Sequence, residues 1–143
     1  MEDKIVIKNE VCTSKISNEE IIEFTVNREL SPYAKFFNEH CPGWSKDSEM
    51  NLHFLRHMEQ YATELLRSRG YLFLNEVYDM LGIPRTKTGQ VVGWVYDPEN
   101  PVGDNCVDFD IYSERNEEFV NGYERSALLD FNVDGDILGY LKD

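Results

Sequence analysis

Hydrophobic residues recur at three- and four-residue steps through one long stretch of the chain, from about Asp47 to Ser68. This spacing places them on one face of an α-helix. Gly70 follows the stretch and is typical of a helix C-terminal stop. The pattern therefore predicts a long helix whose inner face consists of Met50, Phe54, Met58, Tyr61, Ala62, Leu65 and Leu66.

Cap signals predict two shorter helices on either side of it. Ser31-Pro32 has the residue types of a helix N-cap and first helical position, so a short helix is expected before Cys41-Pro42-Gly43. Asn75 has the residue type of an N-cap for a second helix that Gly82 ends. The first of these helices is expected to carry Tyr33, Phe36 and Phe37, and the second to run over 76–81.

The first thirty residues give weaker signals. Lys4–Lys8 contains β-branched residues and predicts a short edge strand. Residues 17–20 form a capping box, which favours a helix, whereas Ile22, Phe24 and Val26 alternate with polar residues as in a strand. Both interpretations of residues 17–26 stay open, with helix favoured.

The pattern changes to a period of two after Gln90. Strands are predicted over 90–96 and 106–112, joined by the turn-forming stretch 97–101. Asn121-Gly122 and Asp134-Gly135 are hairpin signals, expected to join 118–120 to a strand near Tyr123 and 128–133 to a terminal strand over 137–141. The sequence therefore predicts an antiparallel β-meander of four to five strands.

Together these elements predict a single α+β domain over residues 1–143, with a mainly helical part (1–87) packed on an acidic antiparallel sheet part (88–143). A chain of 143 residues with 41% hydrophobic residues can bury a core. No signal peptide or membrane span is predicted, and three widely spaced cysteines indicate reduced thiols in the cytoplasm.

The net charge of −13 excludes some partners. Phosphate groups repel such a chain, so direct binding to nucleic acid or to an anionic membrane is not expected. The acidity is also uneven: residues 1–46 carry −2, residues 47–87 carry −1 and residues 88–143 carry −10. The charge therefore belongs to the predicted sheet.

Four sequence strings resemble a family of uncharacterised proteins from phages and mobile elements of gut-type Gram-positive bacteria. They are YLFLNEVYDMLGIPRTK (71–87), GQVVGWVYD (89–97), FVNGYER (119–125) and LDFNVDG (129–135). The resemblance covers about the last half of the chain and implies a shared C-terminal module joined to a variable N-terminal part. It implies an origin in phage or mobile-element biology and transfers no catalytic residue.

Acidic residues alternate with apolar ones in two of the predicted strands, which places them on the solvent face of the sheet, about 6.7 Å apart. We interpret this face as a negative surface that binds a basic groove of a nucleic-acid-handling host protein. The alternative interpretation is a solvated face that serves solubility. The residues assigned to the surface are Asp104, Asp108, Asp110, Glu114, Glu117, Glu118, Asp130, Asp134 and Asp136.

The function expected from this charge map is inhibition of a host defence enzyme by mimicry of nucleic acid, as an anti-CRISPR protein does. One alternative is a phage virion or assembly component whose sheet pairs with copies of itself or with another structural protein. A second is a magnesium-dependent hydrolase that uses Asp108 and Asp110 with Asp130 or Asp134. The favoured function requires no enzyme activity and no cofactor.

Two metal-site patterns are incomplete. Residues 130–137 fit the start of a calcium loop, but Leu141 stands at the twelfth position, where a bidentate Glu is required. His53 and His57 lie four residues apart on the long helix without the Glu of a zinc-protease motif. A hairpin and a surface pair explain these patterns better, so no metal is expected.

If the nine acids form one exposed surface, then replacing Asp108, Asp110 and Asp130 with Lys will weaken capture of a basic partner without unfolding the domain. A pull-down combined with circular dichroism tests both parts of this expectation. Unchanged capture by the folded triple variant would contradict it.

Overall fold

The computed structural model describes residues 30–141, and it is an α+β fold, as predicted. The predictions for Lys4–Lys8 and for residues 17–26 lie outside these residues. Within them, three short 3-10 turns occur at 88–90, 114–116 and 138–140. The helices and strands are β1 (Lys35–Phe37), α1 (Ser48–Arg69), β2 (Tyr71–Phe73), α2 (Leu74–Leu81), β3 (Val92–Val95), α3 (Glu117–Val120), β4 (Ala127–Leu129) and β5 (Gly135–Asp136).

The long helix α1 is confirmed together with both of its ends. The Asp47 carboxylate accepts hydrogen bonds from the first turn, and Gly70 ends the helix in a left-handed conformation with φ of +92°. Its buried face differs from the predicted one, because Met50 and Tyr61 are 59% and 48% exposed. The buried residues of the helix are Asn51, Leu55, Ala62 and Leu66.

The predicted short helix after Ser31-Pro32 is wrong. The Ser31 hydroxyl accepts a hydrogen bond from the N–H of Tyr33, as a cap would, but only one turn forms. The chain then becomes β1, which pairs antiparallel with β4. Phe37 on β1 is fully buried and stacks on Phe54 of α1, with 5.7 Å between the ring centres. Contacts between residues distant in sequence thus override a local helix signal.

The predicted meander is replaced by two small antiparallel sheets. One contains β1 and β4, and the other has the strand order β2-β3-β5. Because β4 and β5 belong to different sheets, Asp134-Gly135 does not turn a hairpin, and residues 138–140 form a 3-10 turn in place of a terminal strand. The expected hairpin at Asn121-Gly122 is also wrong, since these residues terminate α3.

Residues 106–112 run beside β4 and its continuation without forming a regular strand. The N–H groups of Asp130 and Asn132 donate to the carbonyls of Phe109 and Asp108, both at 3.2 Å. The side-chain oxygen of Asn132 accepts a hydrogen bond from the N–H of Asp108, where a backbone carbonyl would accept it in a regular sheet. Asp110 then adopts φ of +58°, which strand geometry excludes.

Side-chain amides perform much of the pairing that longer strands would otherwise provide. Asn116 accepts from the N–H of Leu128 at 2.8 Å and donates to its carbonyl at 2.9 Å. Asn75 binds both backbone groups of Thr86 in the same way, which explains why it does not cap α2. Two further asparagines repeat this pattern, with the pairs being Asn51 with Ser45 and Asn105 with Asp97.

The pairing of Asn116 fixes the orientation of β1. Because both backbone groups of Leu128 face Asn116, they face away from β1. Phe36 is the residue of β1 opposite Leu128, so its own N–H and C=O face the outer edge of the sheet. No hydrogen bond joins them to another group in residues 30–141. The Phe36 side chain is 57% exposed.

The core lies between α1, α2 and the two sheets. Its largest fully buried side chains include Trp94, Tyr78, Phe37 and Phe109. Phe131 makes edge-to-face contacts with the rings of both Tyr78 and Phe109. Of the cysteines, Cys41 is free, whereas Cys106 is disulfide-bonded, so the expectation of reduced thiols is wrong for Cys106.

We predict that Asn116→Ala lowers the free energy of unfolding by about 2 kcal/mol or more, because it removes the partners of two backbone groups of Leu128. Urea unfolding provides the measurement. Asn100→Ala is the matched control, since Asn100 is exposed and its side chain makes no hydrogen bond within residues 30–141. Equal losses in the two variants would contradict a special role for the Asn116 amide.

Candidate functional site

The nine acids assigned to one surface separate into two groups in the structure. Asp110 and Asp130 are 9% and 5% exposed, and Asp108 and Asp134 are only partly exposed. The prediction that these four line an open solvent face is therefore wrong. The other five are exposed, and they are Asp104, Glu114, Glu117, Glu118 and Asp136.

Two of the buried or partly exposed acids hold the backbone of distant segments. Asp130 accepts hydrogen bonds from the N–H and the hydroxyl of Ser31, which joins the segment before β1 to the end of β4. Asp134 accepts from the N–H of Val95 at 2.9 Å, and burial raises the pKa of Asp134 to about 6. A lysine at position 130 would remove an acceptor and bury a charge, so the triple Lys substitution would disturb the fold as well as the surface.

Asp108 forms a partly buried carboxyl pair with Glu59, a residue of α1 that the sequence did not indicate. A hydrogen bond joins the two side chains, and Glu59 also accepts from the N–H of Phe109 at 2.7 Å. Burial and the nearby Asp108 carboxyl hold the pKa of Glu59 well above its ordinary value, and burial raises the pKa of Asp108 to about 6. We infer that the pair holds one proton, because two adjacent carboxylate charges removed from water would repel each other.

The loop around Asp108 keeps the pair in place. The Oδ1 of Asp108 accepts a hydrogen bond from the N–H of Asp110, and the N–H of Asp108 donates to the Asn132 side chain at 2.7 Å. Asn132 in turn binds the indole N–H of Trp94, the Asp104 carboxylate and a backbone carbonyl. The carboxyl pair is therefore built into a network that reaches the core.

Asp110 has a different partner from the other buried acids. Its carboxylate lies 3.3 Å from the guanidinium of Arg115, and both side chains are at most 15% exposed. Arg115 also donates to the hydroxyl of Ser113, whose side chain caps the 3-10 turn at 114–116. The ion pair thus links the strained residue Asp110 to the segment that leads into α3.

The exposed acids concentrate around α3. We call the exposed residues Glu117, Glu118, Tyr123 and Glu124 the acidic turn. The N–H groups of Tyr123 and Glu124 both donate to the carbonyl of Glu118, which folds the chain after α3 back onto the helix. Glu117, Glu118 and Glu124 are exposed there, and Tyr123 is 80% exposed. Glu114 lies one turn earlier on the same segment and is also exposed.

The metal-binding alternatives find no site in residues 30–141. No group of three or more His, Cys, Asp or Glu side chains is placed there to hold an ion. In the calcium-like stretch, Asp130, Asn132 and Asp134 are already hydrogen-bonded to Ser31, Trp94 and Val95. The magnesium-dependent hydrolase thus gains no support from this part of the chain. None of the helices described is long and apolar enough to cross a membrane.

Comparison with known proteins places the chain in a family. A family model described as a family of unknown function, DUF6353, matches residues 1–141. The chain belongs to DUF6353. Because the match spans both halves, the expected restriction of the family likeness to the C-terminal half is wrong. No curated protein and no solved structure matches the chain.

We predict that Asp108→Asn stabilises this DUF6353 member at pH 7.5 by about 2 kcal/mol. The amide still accepts from Asp110 and can donate to Glu59, while the cost of a buried charge beside a second carboxyl is removed. The pKa of Asp108 in the folded protein, about 6, lies above its ordinary value of 3.8. Protonation of Asp108 therefore stabilises the folded state fully below about pH 3.8, and this stabilisation is lost as the pH rises through 6. The gain should therefore shrink towards pH 4.

Urea unfolding between pH 4.5 and 7.5 measures this effect, as the difference between the variant and the wild type at each pH. Asp136→Asn is the matched control, since Asp136 is exposed and the amide retains its acceptor for the N–H of Leu138. A gain that is absent at pH 7.5, or equal at every pH, would refute the shared proton.

Proposed function

We propose that this protein acts by binding a basic groove of another protein through the acidic turn. The observation that carries the proposal is the folding of the turn, which brings Glu117, Glu118 and Glu124 together beside the exposed ring of Tyr123. Carboxylates give long-range attraction to a positive partner, and an exposed tyrosine supplies contact area in protein interfaces. Glu114 and Asp104 are exposed acids that extend the same negative character.

The partner that fits best is an enzyme that handles nucleic acid in the host cytoplasm. Such an enzyme has a groove lined with Lys and Arg for phosphates, and a surface of carboxylates competes for it. Residues 88–143 carry a net charge of −10, which supports mimicry of a phosphate backbone. The resemblance to phage and mobile-element proteins supports an anti-defence role, such as that of an anti-CRISPR inhibitor.

The other four acids have a separate role in this proposal. Asp108, Asp110, Asp130 and Asp134 are buried or partly buried and hold loops through hydrogen bonds or an ion pair, so they contribute to the field of the protein without contacting a partner. Of the nine residues assigned from the sequence, Glu117 and Glu118 belong to the acidic turn, and Asp104, Glu114 and Asp136 are exposed outside it. Binding through this turn requires no metal and no catalytic residue.

The test is a pull-down from bacterial lysate with the tagged protein, washed at about 50 mM and about 300 mM salt, followed by mass spectrometry. We expect a nucleic-acid enzyme to be captured at low salt and released at high salt or by added duplex DNA. The Glu117→Lys/Glu118→Lys double variant should capture about tenfold less of it. Retention of the enzyme in the presence of excess DNA would contradict mimicry.

The control is the Glu64→Lys/Glu99→Lys double variant. Glu64 and Glu99 are exposed and lie outside the acidic turn, and both double variants change the net charge from −13 to −9. If the proposal is correct, the control captures the enzyme as the wild type does. Equal losses of capture in the two double variants would show that capture depends on total charge. This result would contradict the assignment of the binding surface to the acidic turn.

A further inference from the structure

Within residues 30–141, no strand pairs with the outer edge of β1. The N–H and C=O of Phe36 face outwards, and the Phe36 side chain beside them is 57% exposed. Edge strands are often protected from pairing by a charged side chain, and Lys35 is the charged residue of β1. Its ammonium instead lies 5.8 Å from the centre of the Tyr78 ring, on the core side. The edge is thus open in residues 30–141.

We infer that β1 pairs antiparallel with β1 of a second copy of this chain, on a two-fold axis that passes beside Phe36. In this register each Phe36 donates its N–H to the C=O of the other Phe36, and the two exposed rings lie across the axis. Lys35 stands opposite Phe37 of the second copy. The two-stranded sheet then becomes a four-stranded sheet with the order β4-β1-β1-β4.

Local charge favours a second copy at this position. Residues 30–45 carry one Lys and one Glu, so this segment is neutral although the whole chain carries −13. Antiparallel pairing about Phe36 brings Lys35 of one copy towards the end of the strand that leads to Glu39 of the other. Each end of the paired strands thus receives one positive residue, Lys35 of one copy, and one negative residue, Glu39 of the other.

The size of the contact determines how strong the pairing is. Stable interfaces bury about 1,200–2,000 Å² in total, and a strand of three residues with one exposed ring supplies less than that. The dimer should therefore be weak and should form at high local concentration, as in an assembly. The pairing uses β1 and none of the residues of the acidic turn, so the inference does not rest on the proposed function.

Sedimentation equilibrium of the full chain between about 10 and 500 μM, at about 50 and 300 mM salt, tests the inference. The average mass should rise with concentration from 16.7 kDa towards twice that value. The rise should be stronger at high salt, which screens the repulsion between two chains of −13. Capture of a basic partner by the acidic turn has the opposite salt dependence, so the two proposals can fail independently.

Two variants of Phe36 locate the interface. Phe36→Pro removes the outward N–H, while the inward pairing of β1 with β4 through Lys35 and Phe37 remains. Phe36→Lys keeps the backbone and places like charges across the axis. Both should weaken the dimer by about tenfold or more. Tyr140→Lys is the matched control, since Tyr140 is also 57% exposed and lies outside both sheets, and it should dimerise as the wild type does.

Circular dichroism confirms that each variant is folded before its mass is compared. A mass of 16.7 kDa at every concentration would overturn the inference. So would a dimer that persists in Phe36→Lys, or one that Tyr140→Lys dissociates to the same extent, because either result would place the contact elsewhere. Stronger dimerisation at low salt would contradict the charge argument.

Discussion

Side-chain amides meet the hydrogen-bonding needs of a backbone that has few strand residues. Buried N–H and C=O groups require partners, and strands of two to four residues supply only a few of them. The asparagine side chain carries a C=O acceptor and an NH2 donor at the spacing of a peptide group, so a single side chain can pair with both groups of a distant residue. Asn116 does this for β4, and Asn75 does it for the loop after α2.

The same chemistry explains which parts of the fold the sequence could predict. Helix α1 depends on local signals, namely the spacing of apolar residues and the Gly70 stop, and these signals were sufficient. Strand β1 depends on pairing with β4, some ninety residues away, and no local signal reports that contact. Phe36 and Phe37 fit a helix or a strand equally well, so a cap-like Ser31-Pro32 led to the wrong element.

The acidic residues show a second limit of sequence reasoning. Polar residues at every second position in 106–112 and 128–134 have the pattern of a solvated strand face. In the structure, Asp130, Asn132 and Asp134 alternate because each one binds a backbone or side-chain group of another segment. Glu59 was missed because its partner Asp108 comes from a loop about fifty residues later. The exposure of Glu117 and Glu118, in contrast, was predicted correctly, although they were expected on a sheet and lie on α3.

Each asparagine pair also closes a ring, because its two hydrogen bonds join the residues at the two ends of the intervening segment. We call this junction the base of the ring. The Asn75–Thr86 ring spans eleven residues and the Asn116–Leu128 ring spans twelve. A change in length in the part of a ring outside α2 and α3 alters the loop but leaves the base of the ring, and the strands beyond it, in register, and longer loops cost little closure entropy. Among relatives of this chain, insertions and deletions should therefore accumulate in these loop parts, while the helices inside the rings and the asparagines at their bases persist.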